Sequence, residues 1–314
     1  MINYADIFKK KISPEFNQRL NDVFGERIRG TRGSFILTAD GEIPIVKRVP
    51  RFVKTDKYAS SFTYQWKRFP HTQIDSKQGV DLTHKDLVSK LQIEPHFFRD
   101  KLVLDVGVGV GRHAEYFCKA GAHFIGVDLS ESVVQAEANL REYNNGVVCQ
   151  ADLFNLPFNE DVFDFVYSIG VLHHTPSWVE ALKVLSVLPK KNSGIFSVWL
   201  YGAAFARRDE WIKYTSRFQK DMFFDLCSFL ISAHRSAKDE QKLISPLMET
   251  LSRHFPFSVH HPNFSRSLLA LFDGYSPDFH AALTSDELAI QMRSQGFSVR
   301  PGDFQASCIG QRIN

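Results

Sequence analysis

The 314-residue chain is poor in cysteine. Its four thiols (Cys118, Cys149, Cys227 and Cys308) lie far apart, and no CxxC pair occurs. That spacing argues against a zinc ribbon and a disulfide framework and suits a reducing compartment. No stretch approaches the roughly 20 consecutive apolar residues that a membrane span needs. The opening MINYADIFKKKISPEF carries no apolar signal-like segment either. Both features predict a cytoplasmic protein without a membrane span. Internal repeats and low-complexity tracts are also missing. Neither sign of charge dominates: the net charge is +3, although residues 1–100 hold 18 Lys and Arg against 12 Asp and Glu. A basic front end can favour an anionic substrate or nucleic acid, but charge this dispersed reads first as a solvated surface.

What is present is an ordinary globular balance, with 44% hydrophobic and 23% charged residues, and an unusual 28 Phe. The length allows one large core, or one core plus a smaller lobe. Residues 101–202 alternate strand and helix signals. KLVLDVG, HFIGVDL, VVCQADL, DVFDFVYSIGV and SGIFSVWLYG read as strands, and GRHAEYFCKAGA, ESVVQAEANLREY and SWVEALKVLSVL as helices, with Ser130 as an expected N-cap. Such interleaving predicts βαβ units and a doubly wound, mainly parallel sheet. Residues 203–284 are helical and Phe-rich, too long for a loop, and are expected to cap one edge of the sheet. Residues 285–314 supply a helix and two short strands that complete a sheet of seven. Residues 1–100 are expected to form a separate leader: a β-like piece, SFILTADGEIPIVKRVPRFV, then an aromatic-rich linker, YASSFTYQWKRFP.

The densest signal is LVLDVGVGVGRH, in which Gly107, Gly109 and Gly111 close an aliphatic strand. Glycines there let backbone approach a ligand and open a helix whose free N–H groups face it. A dinucleotide turn wants G-x-G-x-x-G, whereas here the third glycine arrives one residue early. Asp105, two residues before the first glycine, suits a cation better than a pyrophosphate.

This segment resembles motif I of the class I S-adenosylmethionine-dependent methyltransferases, V-L-D-x-G-x-G-x-G. The resemblance implies that Asp105 helps hold the ammonium group of S-adenosylmethionine and that Gly107, Gly109 and Gly111 cradle its methionine part. It continues through VDLS, where Asp128 would bind the ribose hydroxyls with Leu129 beside it. In QADLFNLPF, Asp152 would face the adenine amino group and Leu153 pack on the ring. FDFVYSIGVLHHTPS, which includes Ile169, looks like the fourth strand and following loop of the ubiquinone/menaquinone-type branch. Taken alone, Asp128 and Asp152 could equally cap a helix or turn.

The flanks resemble the family more faintly. EIPIVKRVPRFV is similar to the end of a small zinc-ribbon-like domain that precedes some members, without the cysteines and with Arg48 where glycine is usual, so this lobe is expected to fold without metal. YASSFTYQWKRF is similar to the linker that closes over the cofactor, which makes Tyr64, Gln65 and Trp66 candidate contacts; docking of the leader is the alternative. LFDGYSPDFHAALTSDEL resembles the family's approach to its last helix, with Phe279 in place of tyrosine and Ala282 near the usual histidine.

Methyl transfer from a sulfonium by in-line displacement depends chiefly on alignment, which supplies at best about 7–11 kcal/mol. A base is needed only for an acceptor that holds its proton tightly. His173 and His174, after the fourth strand, are the candidate catalytic residues; binding backbone carbonyls is the alternative role, and a metal site is not expected. Tyr201 and the pair His260–His261 are further residues that could reach the pocket. The leading reading is a methyltransferase acting on a small-molecule acceptor, not on nucleic acid, since SIGVLHHT stands where many amino-directed nucleic-acid enzymes carry an N/D-P-P-Y type sequence. RNA or protein methylation and a non-catalytic scaffold remain as alternatives, with an NAD-dependent oxidoreductase last. No sequence feature assigns an oligomeric state.

Overall fold

The computed structural model describes residues 2–239, 263–302 and 306–313. His260 and His261 lie outside the described residues.

A seven-stranded sheet forms the centre. Its strands are β5 (Leu102–Val106), β6 (His123–Asp128), β7 (Gly146–Gln150), β8 (Phe165–Ile169), β9 (Ile195–Trp199), β10 (Phe297–Pro301) and β11 (Ser307–Arg312), in the spatial order β10-β11-β9-β8-β5-β6-β7. Strands β5 to β9 run parallel, and β11 pairs antiparallel with both β9 and β10. The fold is therefore the α/β, Rossmann-like doubly wound sheet that the sequence predicts. The chain runs outward from β5 to β7, then crosses back to β8 on the other side of β5. This reversal creates the crevice in which open α/β sheets bind ligands.

Every residue of β5 is buried, as expected for a strand covered on both faces. Alternate residues belong to different cores. Leu102, Leu104 and Val106 join Ile125, Val127 and Val166 on one face. Val103, Phe124, Phe165 and Tyr167 form the other face, with Leu87 and Leu91 of α5 (Leu82–Leu91), Phe117 of α6 (Ala114–Lys119) and Val133 and Ala136 of α7 (Val133–Leu140). Helix α7 starts after Ser132; Ser130, expected as its cap, instead donates its hydroxyl to Asp128 (2.6 Å).

The leader does not stand apart. In α2 (Pro14–Phe24), capped by Ser13, the buried residues Phe16, Leu20, Val23 and Phe24 follow helical spacing. They share the first core with α1 (Tyr4–Phe8), with Leu182 and Leu185 of α8 (Trp178–Ser186), and with Leu288 and Met292 of α12 (Ser285–Ser294). Burying each such side chain contributes about 1.5–3 kcal/mol, which is why α1 and α2 lie on the sheet rather than beside it. Residues 30–50 form a four-stranded antiparallel meander, β1 (Gly30–Arg32), β2 (Phe35–Thr38), β3 (Gly41–Val46) and β4 (Val49–Pro50).

The aromatic linker is a helix, α3 (Ser60–Arg68). A second helical group of α9 (Asp209–Thr215), α10 (Lys220–Asp239) and α11 (Phe264–Tyr275) packs onto it through Phe272 and Tyr64. No helix among the described residues is long and apolar enough to cross a membrane.

Candidate functional site

A cavity of about 410 Å³ opens at the carboxyl ends of β5, β6, β8 and β9, beneath α3 and α11. Its size is that of a small-molecule site. Of the residues singled out from the sequence, Asp105, Gly107, Gly109, Asp128, Leu129, Leu153, Ile169, Gln65, Trp66, His174 and Tyr201 line it.

The glycine turn builds one wall. Both Gly107 and Val108 donate their amides to the carbonyl of Val127 (2.8 and 2.9 Å), which bends the chain off the end of β5. Gly107 has φ +93°, and a Cβ there would lie 2.2 Å from a methyl of Val171, so both backbone and space require glycine. The Gly109 amide donates to Asp128 Oδ2 (2.8 Å), while Oδ1 accepts from the amide (2.8 Å) and hydroxyl (2.6 Å) of Ser130. Burial pushes the Asp128 carboxyl above its ordinary value, against the opposing pull of these hydrogen bonds. Asp105, at the same end, receives the Tyr167 hydroxyl (2.6 Å). Burial raises its carboxyl to about 7, opposed by the Tyr167 hydrogen bond and helped by the negative Asp128 nearby. A buried and a half-buried acid held at this cost call for a ligand bearing positive charge and hydroxyl donors. The ammonium, sulfonium and ribose of S-adenosylmethionine supply both, and the donor set fits that group.

Four expectations need correction. Gly111 faces α7 instead of the cavity; a Cβ there would touch Ala136 at 3.5 Å, so this glycine serves helix packing. Asp152 turns away from the cavity lining, accepts the Phe154 amide (3.1 Å) as a cap and pairs with Lys57. Tyr64 also lies outside the lining. Its ring stacks on Phe272 (5.4 Å between centroids) and its hydroxyl donates to Asp221. Two residues apart on a helix means roughly 200° of rotation, so Trp66 can face the glycine turn only if Tyr64 faces away. His173 is wholly buried and outside the lining, its ring 4.0 Å from those of His174 and Tyr201. Burial holds it well below the ordinary histidine value, so it stays neutral.

His174 does reach the cavity. Its Nδ1 lies 3.1 Å from the Phe279 carbonyl, which can only accept, so Nδ1 carries the proton and Nε2 is left as an unpartnered acceptor. Burial lowers its pKa to about 4. It can orient a donor group on a ligand but is a far weaker base than a near-neutral histidine.

Around His174 lie residues that the sequence reading did not assemble. The Tyr201 hydroxyl donates to Asp273 Oδ2 (2.8 Å), and Gln65 Nε2 donates to Oδ1 (3.0 Å). Lys90, Arg112 and Arg208 line the same end, with Trp199 and Phe205. Gln65 and Tyr201 were candidates from the sequence and do line the cavity; of the residues it missed, Arg112 carried a usable signal, because it directly follows the glycine turn.

Comparison with known proteins gives a consistent family. A sequence model described as a methyltransferase domain matches residues 104–196, the stretch from β5 through the glycine turn to β9. Those residues are a methyltransferase domain. The chain is 45% identical over 78 residues to protein arginine N-methyltransferase 1 of Schizosaccharomyces pombe, covering 23% of this chain and 22% of that one. It is 28% identical over 194 residues to 24-methylenesterol C-methyltransferase 3 of Arabidopsis thaliana, covering 57% and 49%. To the ubiquinone biosynthesis O-methyltransferase of Coxiella burnetii it is 34% identical over 101 residues, covering 31% and 43%. The chain thus spans less than half the length of each of these relatives. The helical group that roofs the cavity lies outside residues 104–196.

Proposed function

We propose that the whole chain is an S-adenosylmethionine-dependent methyltransferase acting on a small-molecule acceptor, in a reducing, cytoplasmic setting. The observation that carries this reading is the pair of carboxylates, buried Asp105 and half-buried Asp128, on one cavity wall beside a glycine turn too tight for any side chain at Gly107. When bound, S-adenosylmethionine supplies an electrophilic methyl carbon on a sulfonium. Asp105 would meet its ammonium group and Asp128 its ribose hydroxyls; Leu129, Leu153, Ile169 and Trp66 would line the adenosine. His174 Nε2 would accept a hydrogen bond from the acceptor and aim its lone pair, with Tyr201 and Asp273 flanking it. Because the reacting end lies under α3 and α11, roofed by Gln65, Leu269 and Asp273, the site favours a compact acceptor over a polymer. All four cysteines are buried and free, which fits the compartment.

Incubation with methyl-labelled S-adenosylmethionine and separate metabolite, protein and RNA fractions tests the reading. Label in the metabolite fraction supports it. Transfer confined to protein or RNA overturns the acceptor class.

A further inference from the structure

Three cations, Lys90, Arg112 and Arg208, line the cavity. Lys90 and Arg112 share one carboxylate oxygen, Asp86 Oδ2, at 2.8 and 2.7 Å. Arg112 Nε is buried without a hydrogen-bond partner. The Lys90 ammonium also stands 4.6 Å above the Trp199 ring. Arg208 reaches the cavity from the other side. Its guanidinium stacks over Phe205 at 4.5 Å and Tyr275 at 5.2 Å, and Gly274 makes room for it, since a Cβ there would lie 2.5 Å from Arg208 Nη1. Among the described residues, no carboxylate lies within ion-pair distance of Arg208. Asp273 also lines the cavity, and its two oxygens already accept from Tyr201 and Gln65. Lys90 and Arg112 each have a carboxylate partner, whereas Arg208 has none among the described residues. The buried His113 lines the same end, and Arg112 and Lys90 add to burial in holding it neutral.

Buried charge is normally paired, because leaving it unpaired costs several kcal/mol. Arginine in particular presents a fork matched to carboxylate or phosphate oxygens. An alternative in which these cations only tether α5 to the glycine turn explains the Asp86 pairs. It leaves unexplained why Arg112 Nε is unpartnered and why Arg208, hydrogen-bonded to Tyr275, has no carboxylate among the described residues. The carboxylate of the methyl donor is the rival claimant, and S-adenosylhomocysteine, which carries the same carboxylate, fills that claim in the test below. We infer that the acceptor carries an oxyanion, carboxylate or phosphate, on an apolar body, and that Arg112, Arg208 and Lys90 bind it while Trp199 and Phe205 hold the body. This rests on the methyltransferase reading above and adds the chemical class of the acceptor.

The test uses the full chain with S-adenosylhomocysteine present, and fluorine NMR titration of three probes: 4-fluorobenzoate, 4-fluorophenyl phosphate and the neutral 4-fluorobenzamide. At least one anion is expected to bind tenfold or more tightly than the amide, and which one does so identifies the oxyanion. Arg208→Gln is expected to weaken that anion at least fivefold, with partial rescue in Arg208→Lys, and to leave the amide unchanged. Anions that bind within threefold of the amide in the unaltered protein overturn the inference whatever the variants do. Binding of S-adenosylhomocysteine is read in the same samples. If it binds and the anions show no preference, only this inference fails; if it does not bind, the methyltransferase reading fails, and the anion preference is still measured on its own.

Discussion

The two ends of the cavity are built on opposite principles. At the donor end, two acids, buried Asp105 and half-buried Asp128, project from adjacent parallel strands and are held by short hydrogen bonds from Tyr167, Ser130 and Gly109. At the other end, three cations arrive from α5, the turn after β5 and the stretch before α9, among aromatic rings. One end is negative and fixed by the sheet; the other holds three cations and is completed by helices that the sheet does not specify. A methyl donor that is a cation and an acceptor that is an anion would each find its own end, which sets their order along the cavity without any dedicated positioning loop.

The comparison breaks most completely at Gly107. Gly107→Ala places a methyl against Val171 at a positive φ, and strain and overpacking together are expected to cost about 2–5 kcal/mol. Thermal unfolding should show a lowered midpoint, and S-adenosylhomocysteine binding should be lost; an unshifted midpoint would mean that the turn is looser than described. Asp128→Ala comes next. Removing this half-buried acceptor of charged hydrogen bonds is expected to cost about 2–4 kcal/mol, roughly 30- to 1000-fold in S-adenosylhomocysteine affinity by calorimetry.

Asp105 sharpens the contrast through pH. Burial raises its carboxyl to about 7, so in the empty protein it holds a proton below that value and is ionised above it. A cationic ligand needs the ionised form and must displace the proton at lower pH. Affinity for S-adenosylmethionine should therefore be level above pH 8 and roughly tenfold weaker by pH 6. Asp105→Asn should flatten that profile, and a profile that keeps its slope in the variant would assign the titration elsewhere. The smallest effects separate the two faces of α3. Trp66→Ala should weaken cofactor binding, whereas Tyr64→Ala should leave it unchanged and lower the melting temperature by a few degrees, roughly 1–2 kcal/mol of lost packing.

The donor end was legible because its parts are consecutive. A buried strand, a glycine turn and an acid at the next strand end follow one another within residues 102–129, so local pattern and geometry coincide. The acceptor end was legible only in part: Gln65, His174 and Tyr201 were candidates one by one, but Lys90, Arg112, Arg208 and Asp273 come from separate segments in which each polar residue reads as an ordinary solvated position. The individual misplacements share one cause. Asp152 sits at a strand end like Asp128, yet its fate is decided by Lys57, about a hundred residues earlier in the chain. Tyr64 and Trp66 could be taken together only while their segment was read as a linker; a helix sends them to opposite sides. His173 and His174 divide in the same way, one into the core and one into the cavity. The leader was read as separate because its helical stripe of Phe16, Leu20, Val23 and Phe24 carries no mark of the surface it covers.

Calorimetric titration of the unaltered protein with S-adenosylmethionine, S-adenosylhomocysteine and NADH tests most directly whether the acidic end is a methyl-donor site. Micromolar binding of the first two, with none of NADH, is the predicted result. Tight NADH binding, or no heat from either adenosyl compound, would contradict it.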